Sequence, residues 1–103
     1  MSMVDDDASV LFDEVSDAAV ELANSYGDRD EEADPWVVAG GLLAGAIQFW
    51  LFAHQPCDEP DCDDCAPVST SRLRMKMLLD EVRELAEASE YFHTPNDADA
   101  GRA

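Results

Sequence analysis

Positive charge is the scarcest feature of this chain. Its 103 residues include 24 acidic side chains and only six basic ones, and the formal net charge is −18. A surface that binds nucleic acid needs a patch of basic side chains to neutralise phosphates. The bases that cluster here, at positions 72, 74, 76 and 83, share one predicted helix with several acids. We therefore expect no nucleic-acid partner.

Common catalytic motifs are also missing. The sequence contains no G-x-S-x-G, no glycine-rich phosphate loop and no H-E-x-x-H. Asp13, Asp17 and Glu21 recur at i,i+4 spacing on the first predicted helix, but a solvated acidic face has the same pattern. The prediction is that the protein is not an enzyme.

One stretch has no charged side chain at all, although the chain is 29% charged. Residues 36–56, WVVAGGLLAGAIQFWLFAHQP, are too many for a typical strand and do not alternate, so they predict a helix. Asp34 suits its N-cap, and Pro35 suits its first turn. We favour a buried core helix, because glycine and alanine make it only moderately apolar and no Lys or Arg flanks it. The alternative is a small single-span membrane protein with residues 36–54 as the span, since 21 uncharged residues would extend about 31 Å, close to the bilayer hydrocarbon thickness.

The acidity accompanies an ordinary hydrophobic content of 47%, which is too high for a disordered chain. A compact domain of this charge repels itself in dilute buffer, whereas at molar salt the Debye length is only about 3 Å. The acids are spread along the chain, which argues against a nucleic-acid mimic or an acidic tail. In this composition, with Lys76 as its single lysine, the chain resembles small acidic proteins of haloarchaea. The resemblance covers no motif of known function, and it implies a salt-rich cytoplasm.

Helical spacing of apolar residues predicts an all-α fold with three helices. Helix 1 spans about residues 5–26 and is expected to stop at Gly27; helix 2 spans about 35–54. Helix 3 spans about 69–90 and begins at a Ser/Thr cluster that suits an N-cap. Its predicted buried stripe consists of Met75, Leu78, Leu79, Val82, Leu85, Ala86 and Ser89. We expect a three-helix bundle over residues 1–92, with a cysteine-rich loop between helices 2 and 3 and a C-terminal tail over 93–103.

Helix 2 is predicted to lie between helices 1 and 3, but these offer only one apolar stripe each, too little to cover it on every side. Gly41 and Gly45 form a G-x-x-x-G, whose small residues let two helix backbones approach closely. Two-fold symmetry is the commonest form of self-association. We therefore predict a homodimer through the Gly41 and Gly45 face of helix 2.

All three cysteines lie in one loop with one of the two histidines, as His54-x2-Cys57-x4-Cys62-x2-Cys65. Zinc binds four nitrogen or sulfur ligands in a tetrahedron, and a site filled by four side chains is structural rather than catalytic. Thiolates favour zinc over the magnesium or calcium that nearby carboxylates attract. The pattern predicts one structural zinc ion on His54, Cys57, Cys62 and Cys65.

Other interpretations of the loop stay open. Asp61 or His93 could replace His54 as the fourth ligand, or the thiols could carry no metal. A disulfide with one thiol left over is disfavoured in a cytoplasmic protein. A redox C-x-x-C is disfavoured because no strand precedes it. Together these features predict a non-enzymatic, zinc-stabilised interaction or regulatory module of a halophile.

Overall fold

A computed structural model describes residues 3–59, 62–95 and 97 of the chain. Within these ranges all regular structure is helical. The elements are α1 (Met3–Arg29), α2 (Pro35–Ala53), a short 3-10 helix (Ala66–Val68) and α3 (Ser71–Ala88). The all-α prediction, with the cysteine loop between the second and third helices, is confirmed. Each predicted helix end lies within three residues of the observed one.

The chain divides into two compact units, Met1–Phe49 and Trp50–Ala103. The first holds α1 and most of α2, and the second holds the end of α2, the cysteine loop and α3. Because the boundary falls inside α2, this division neither supports nor excludes the single domain expected over residues 1–92. That domain and its tail over 93–103 stay a prediction.

The first helix continues past the glycine that was expected to end it. Gly27 keeps a negative φ, as does every other glycine in the part of the chain described. The Arg29 guanidinium lies 4.1 Å from the centroid of the Tyr26 ring, and its Nε donates to the Ser25 carbonyl at 3.4 Å. A cation in the last turn complements the partial negative charge of the exposed carbonyls. Local interactions of Arg29 thus extend α1 beyond Gly27.

The second helix begins as its sequence predicts. Asp34 Oδ1 accepts a hydrogen bond of 2.9 Å from the Trp36 N–H. The Asp34 carbonyl accepts from the N–H groups of Val37 and Val38 at 3.0 and 3.1 Å. Asp34 is therefore the N-cap, and Pro35 occupies the first helical position, where no N–H is needed.

The surface of α2 differs from the expectation of a buried core helix. None of its residues is buried, and Trp36, Val37 and Phe49 are 87%, 70% and 68% exposed. A Cβ added at Gly41 or Gly45 would meet no atom within 4 Å. The expected burial of α2 is therefore not found in the single chain, and a helix that is apolar all round needs a cover on every side.

Among the residues described, α2 is also the one helix long and apolar enough to cross a membrane. It has 19 residues and a mean hydropathy of 1.7, and none of that stretch is buried. This finding concerns only the length and composition of the helix.

The third helix begins at the predicted cap. Thr70 Oγ1 accepts from the Leu73 N–H at 3.1 Å, so that Thr70 is the N-cap. On the solvated face, Lys76 Nζ lies 2.9 Å from Asp80 Oδ2, as the i,i+4 spacing predicts. Both side chains are more than half exposed, so this ion pair contributes only a few tenths of a kcal/mol.

The covered face of α3 overlaps the predicted one only in part. Leu78, 8% exposed, is the single buried residue in the part of the chain described. Its less exposed neighbours are Arg74, Met77 and Glu81, which places the covered face about a quarter-turn from the predicted stripe. Of that stripe, Leu78 is buried and Ala86 is half-buried, whereas Met75, Leu79, Val82, Leu85 and Ser89 are exposed. The rest of the stripe is wrong because the cysteine loop and the end of α2 bond to Arg74 and Glu81.

A hydrogen-bonded turn follows α3. The Thr94 N–H and hydroxyl donate to the Asp97 carboxylate at 2.7 and 3.2 Å, and the Asp97 N–H donates back to the Thr94 carbonyl at 3.0 Å. This is the turn chemistry expected of a Thr-Pro-Asn-Asp sequence. Asn96 itself lies outside the residues described.

Candidate metal centre

The loop that follows α2 is built from consecutive short turns. Pro67 lies in the first turn of the 3-10 helix, where its missing N–H costs nothing. The backbone bonds run from Cys62 N–H to the Glu59 carbonyl at 3.2 Å, from Ala66 N–H to Asp63 at 3.3 Å and from Val68 N–H to Cys65 at 3.0 Å. These turns fold the chain back on itself, so that cysteines eight residues apart in sequence meet.

The three thiols converge on one point. The Sγ atoms of Cys57, Cys62 and Cys65 all lie within 4.8 Å of one another, and all three are free thiols. Around a tetrahedral zinc ion with Zn–S bonds of about 2.3 Å, the sulfurs would be about 3.8 Å apart. A contraction of about 1 Å or less between each pair would therefore suffice. The cluster can hold a metal ion, and three of the four predicted ligands lie together.

Backbone N–H groups are directed at the sulfurs. The Cys57 N–H donates to Cys65 Sγ at 3.3 Å. The pKa of the Cys62 thiol is lowered from its ordinary value, first by the Cys65 N–H and then by the thiol of Cys57. The Cys57 N–H pulls the pKa of Cys65 down, but the Cys57 thiol, partial desolvation and the Cys62 thiol outweigh it and raise that pKa overall. Of these two thiols, Cys62 therefore ionises first in the metal-free loop.

Acidic side chains surround the thiols without joining them. Asp58, Glu59, Asp63 and Asp64 are exposed, and in the ranges described no carboxylate belongs to the sulfur group. A donor set made of sulfur favours a soft or borderline cation such as zinc over magnesium or calcium. The carboxylates contribute a diffuse attraction for cations rather than ligand atoms.

The fourth predicted ligand, His54, is held by its own helix. Its Nδ1 lies 2.7 Å from the Trp50 carbonyl oxygen. Its ring stacks on the Trp50 indole, with centroids 3.7 Å apart and planes 12° from parallel. The sulfur group does not include its ring nitrogens. His54 as a metal ligand therefore stays a prediction.

The alternative fourth ligands are His93 and Asp61. His93 lies edge-on to Phe92, with ring centroids 4.8 Å apart, and its Nδ1 is 3.9 Å from Asp97 Oδ2. It does not belong to the sulfur group either. Asp61 lies outside the residues described.

Two contacts that tie this region to α3 were not predicted. Trp50 Nε1 donates to Glu81 Oε1 at 3.2 Å, and Arg74 Nη1 donates to the Val68 carbonyl at 2.9 Å. Local sequence assigns Glu81 and Arg74 to a solvated helix face, and Trp50 to the end of an apolar segment. The first contact joins residues 31 positions apart, so that no local pattern could reveal it.

Comparisons of the chain with protein-family models, with curated proteins and with solved structures give no match. The functional conclusion therefore depends on what three converging thiols and an exposed apolar helix can do.

Proposed function

We propose that this protein is a small, non-enzymatic helical module whose cysteine loop is stabilised by zinc and whose role is to bind another polypeptide. The group of three sulfurs within 4.8 Å carries the proposal. In a loop otherwise folded by a few turn bonds, a bound ion would supply most of the folding free energy, as structural zinc does in small domains.

A structural ion fits this loop better than a catalytic one. A catalytic zinc needs an open coordination position, usually with a general acid or base nearby. Here the described carboxylates next to the thiols in sequence, such as Asp58 and Asp63, are exposed and lie outside the sulfur group. The N–H groups directed at Cys62 and Cys65 instead favour bound thiolates.

The partner we propose is a second copy of this chain, bound through α2. Soluble monomers rarely expose a contiguous apolar patch larger than a few hundred Å². On α2, Trp36, Val37, Leu43 and Phe49 are each more than half exposed, and the position of Gly45 is open. Pairing two such helices through the Gly41 and Gly45 side would cover the Val37 and Phe49 that flank it, whereas Trp36 and Leu43 lie on the opposite side of α2. A dimer of chains that each carry a charge of −18 needs strong screening, which fits the salt-rich cytoplasm of a halophile.

The second candidate is a single-span membrane protein with residues 36–54 as the span. The observation that favours it is the length and hydropathy of α2, with none of that stretch buried. Three features count against it: Asp34 caps the helix, Gln48 lies within it, and the nearest base, Arg29, stands among acidic residues.

Elemental analysis of protein purified at high salt without chelators tests the metal. We expect about one zinc per chain in the native protein and close to none in Cys62→Ser. Asp63→Asn changes an exposed neighbour outside the sulfur group and is expected to keep the ion. A native protein without zinc, with three freely titrating thiols, would overturn the proposal.

Fractionation of cells lysed at high salt separates the two candidates. The proposed module stays in the supernatant after high-speed centrifugation and elutes as a dimer. Recovery from the pellet only with detergent would favour the membrane span.

A further inference from the structure

We infer that His54 completes the metal site through Nε2, and that Trp50 is the residue that positions it. The inference rests on the proposed function, because the three thiols must first bind an ion. It goes further by assigning the coordinating atom and the contacts that prepare it.

The hydrogen bond of His54 fixes the tautomer of its ring. A backbone carbonyl can only accept, so at 2.7 Å from the Trp50 oxygen the Nδ1 atom must carry the proton. In the neutral ring, Nε2 then holds a free lone pair, which is the form that binds metals. Metal-binding histidines nearly always donate their other N–H to a carbonyl or carboxylate in this way. The bond thus prepares Nε2 as a ligand.

Stacking fixes the orientation of the same ring. The His54 and Trp50 rings lie 3.7 Å apart and nearly parallel, which restricts rotation of the imidazole. Trp50 is itself anchored, because its Nε1 donates to Glu81 on α3 at 3.2 Å. A side chain already ordered loses less conformational entropy when it binds an ion. Glu81 and Trp50 therefore act on the site through His54.

His54 Nε2 has only a short distance to move to join the three sulfurs, because His54 and Cys57 are close in sequence. Three peptide units join His54 to Cys57, so that their Cα atoms are at most about 11 Å apart. Binding draws the three sulfurs together, and Nε2 has to join them by a shift of the loop beside Pro56. The alternative nitrogen ligand, His93, faces Phe92 and Asp97. Of the carboxylates beside the thiols, those that the structure describes are exposed, and all of them are hard ligands.

Cobalt(II) titration of the full chain tests the assignment, because the visible spectrum of cobalt separates thiolate from nitrogen ligands. Native protein is expected to show thiolate charge-transfer bands and tetrahedral d–d bands. His54→Gln should keep the charge-transfer bands of three thiolates and shift the d–d bands. Its zinc affinity, measured by chelator competition, should fall at least about tenfold, the lower end of what even outer-shell changes cost. His93→Gln is the matched control, and its cobalt spectrum and zinc affinity should equal those of the native protein.

Nitrogen-15 spectra of the native protein, with labelled histidine, give a second readout that needs no variant. We expect the Nδ1-protonated tautomer of His54 before zinc, and a shift of its Nε2 resonance, but not of the His93 nitrogens, on zinc binding. Trp50→Leu keeps the backbone carbonyl, and with it the tautomer of His54, but removes the stacked indole. Its cobalt d–d bands should therefore shift towards those of His54→Gln while the thiolate charge-transfer bands stay, and native d–d bands with native zinc affinity would overturn the positioning role of Trp50.

The outcomes separate this inference from the proposed function. Native spectra and affinity in His54→Gln, or a zinc-dependent shift at His93 instead, would overturn the His54 assignment and leave the metal site intact. Native protein that binds neither cobalt nor zinc would overturn both.

Discussion

The charge-free helix α2 and the acidic cysteine loop follow one another in sequence, yet they are incomplete in opposite ways. In α2 the local structure is finished, with a cap at Asp34 and 19 helical residues, but none of its apolar side chains is buried. The loop has only a few turns as local structure, but the thiols of its three cysteines already lie together. The helix lacks a covering surface, whereas the loop has three thiols that could hold an ion. Each deficit points to a component from outside the single chain, and the two components can be removed separately.

Removing salt should have the largest effect and should act on the helices. From 1 M to 0.01 M KCl the Debye length grows from about 3 to about 30 Å, which exposes the chain to its full self-repulsion. We expect circular dichroism at 222 nm to show loss of helix and a lower melting temperature. A chelator at constant high salt should leave the helix signal nearly intact, because only the loop depends on the ion. Helicity that does not change with salt would contradict the halophilic interpretation.

Gly45→Leu should act on assembly without harming the single chain. A side chain at this position meets no atom within 4 Å, and leucine is a better helix former than glycine by roughly 0.8 kcal/mol. A larger residue would nevertheless hold two paired α2 helices apart. Light scattering at high salt should show a dimer for the native protein and a monomer for Gly45→Leu.

Gly45 is the sharper test position because Gly41 also borders α1. Gly41 lines a groove of about 350 Å³ together with Leu22 and Tyr26, so that a leucine there could fill space within the chain. Gly27→Leu is the control for adding leucine to a helix, since it places the same side chain on α1, where an added Cβ also meets no atom within 4 Å. A native protein that scatters light as a stable monomer would exclude the dimer.

Sequence predicts the parts of this fold that local forces determine. The caps at Asp34 and Thr70 depend on neighbours within four residues, and they are predicted correctly. The end of α1 is not, because the helix continues past Gly27 to Arg29. The covered face of α3 depends on Trp50 reaching Glu81, a contact that no short-range pattern encodes. The prediction that α2 is buried was wrong for a related reason. A charge-free sequence indicates that a helix must be covered, but it does not indicate what covers it.

In the candidate site, too, the sequence predicts some features and not others. Spacing identifies the three cysteines as a group, because short loops let one ion collect them all. Spacing places His54 and Trp50 on one helix face, but it cannot show that the two rings stack or which nitrogen of His54 carries the proton. Those details depend on the helical turn that ends α2, where residues four apart lie on one face.

Within the metal-free loop, the thiols should differ in reactivity. The Cys65 N–H and the Cys57 thiol lower the pKa of Cys62, whereas the pKa of Cys65 is raised overall. Because the thiolate is the nucleophile, iodoacetamide near pH 8 should alkylate Cys62 several-fold faster than Cys65. The difference should narrow as the pH rises and both ionise. Peptide mass spectrometry after timed quenching measures both rates, and saturating zinc should protect both thiols. Equal rates without metal would contradict the arrangement of N–H groups around Cys62.

The smallest effect we predict comes from removing the N-cap of α3, which is a purely local interaction. Thr70→Ala removes the hydroxyl that accepts the Leu73 N–H at 3.1 Å, and loss of such a cap costs about 1 kcal/mol of the free energy of unfolding. Thr70→Ser keeps the hydroxyl and should stay close to native. Denaturant unfolding at high salt measures the difference, with zinc content as the second readout. Because Thr70 lies five residues after Cys65 and outside the sulfur group, the ion should stay bound while α3 is weakened. Loss of zinc in Thr70→Ala but not in Thr70→Ser would instead mean that the start of α3 holds the thiols in place, and that the loop does not assemble its site alone.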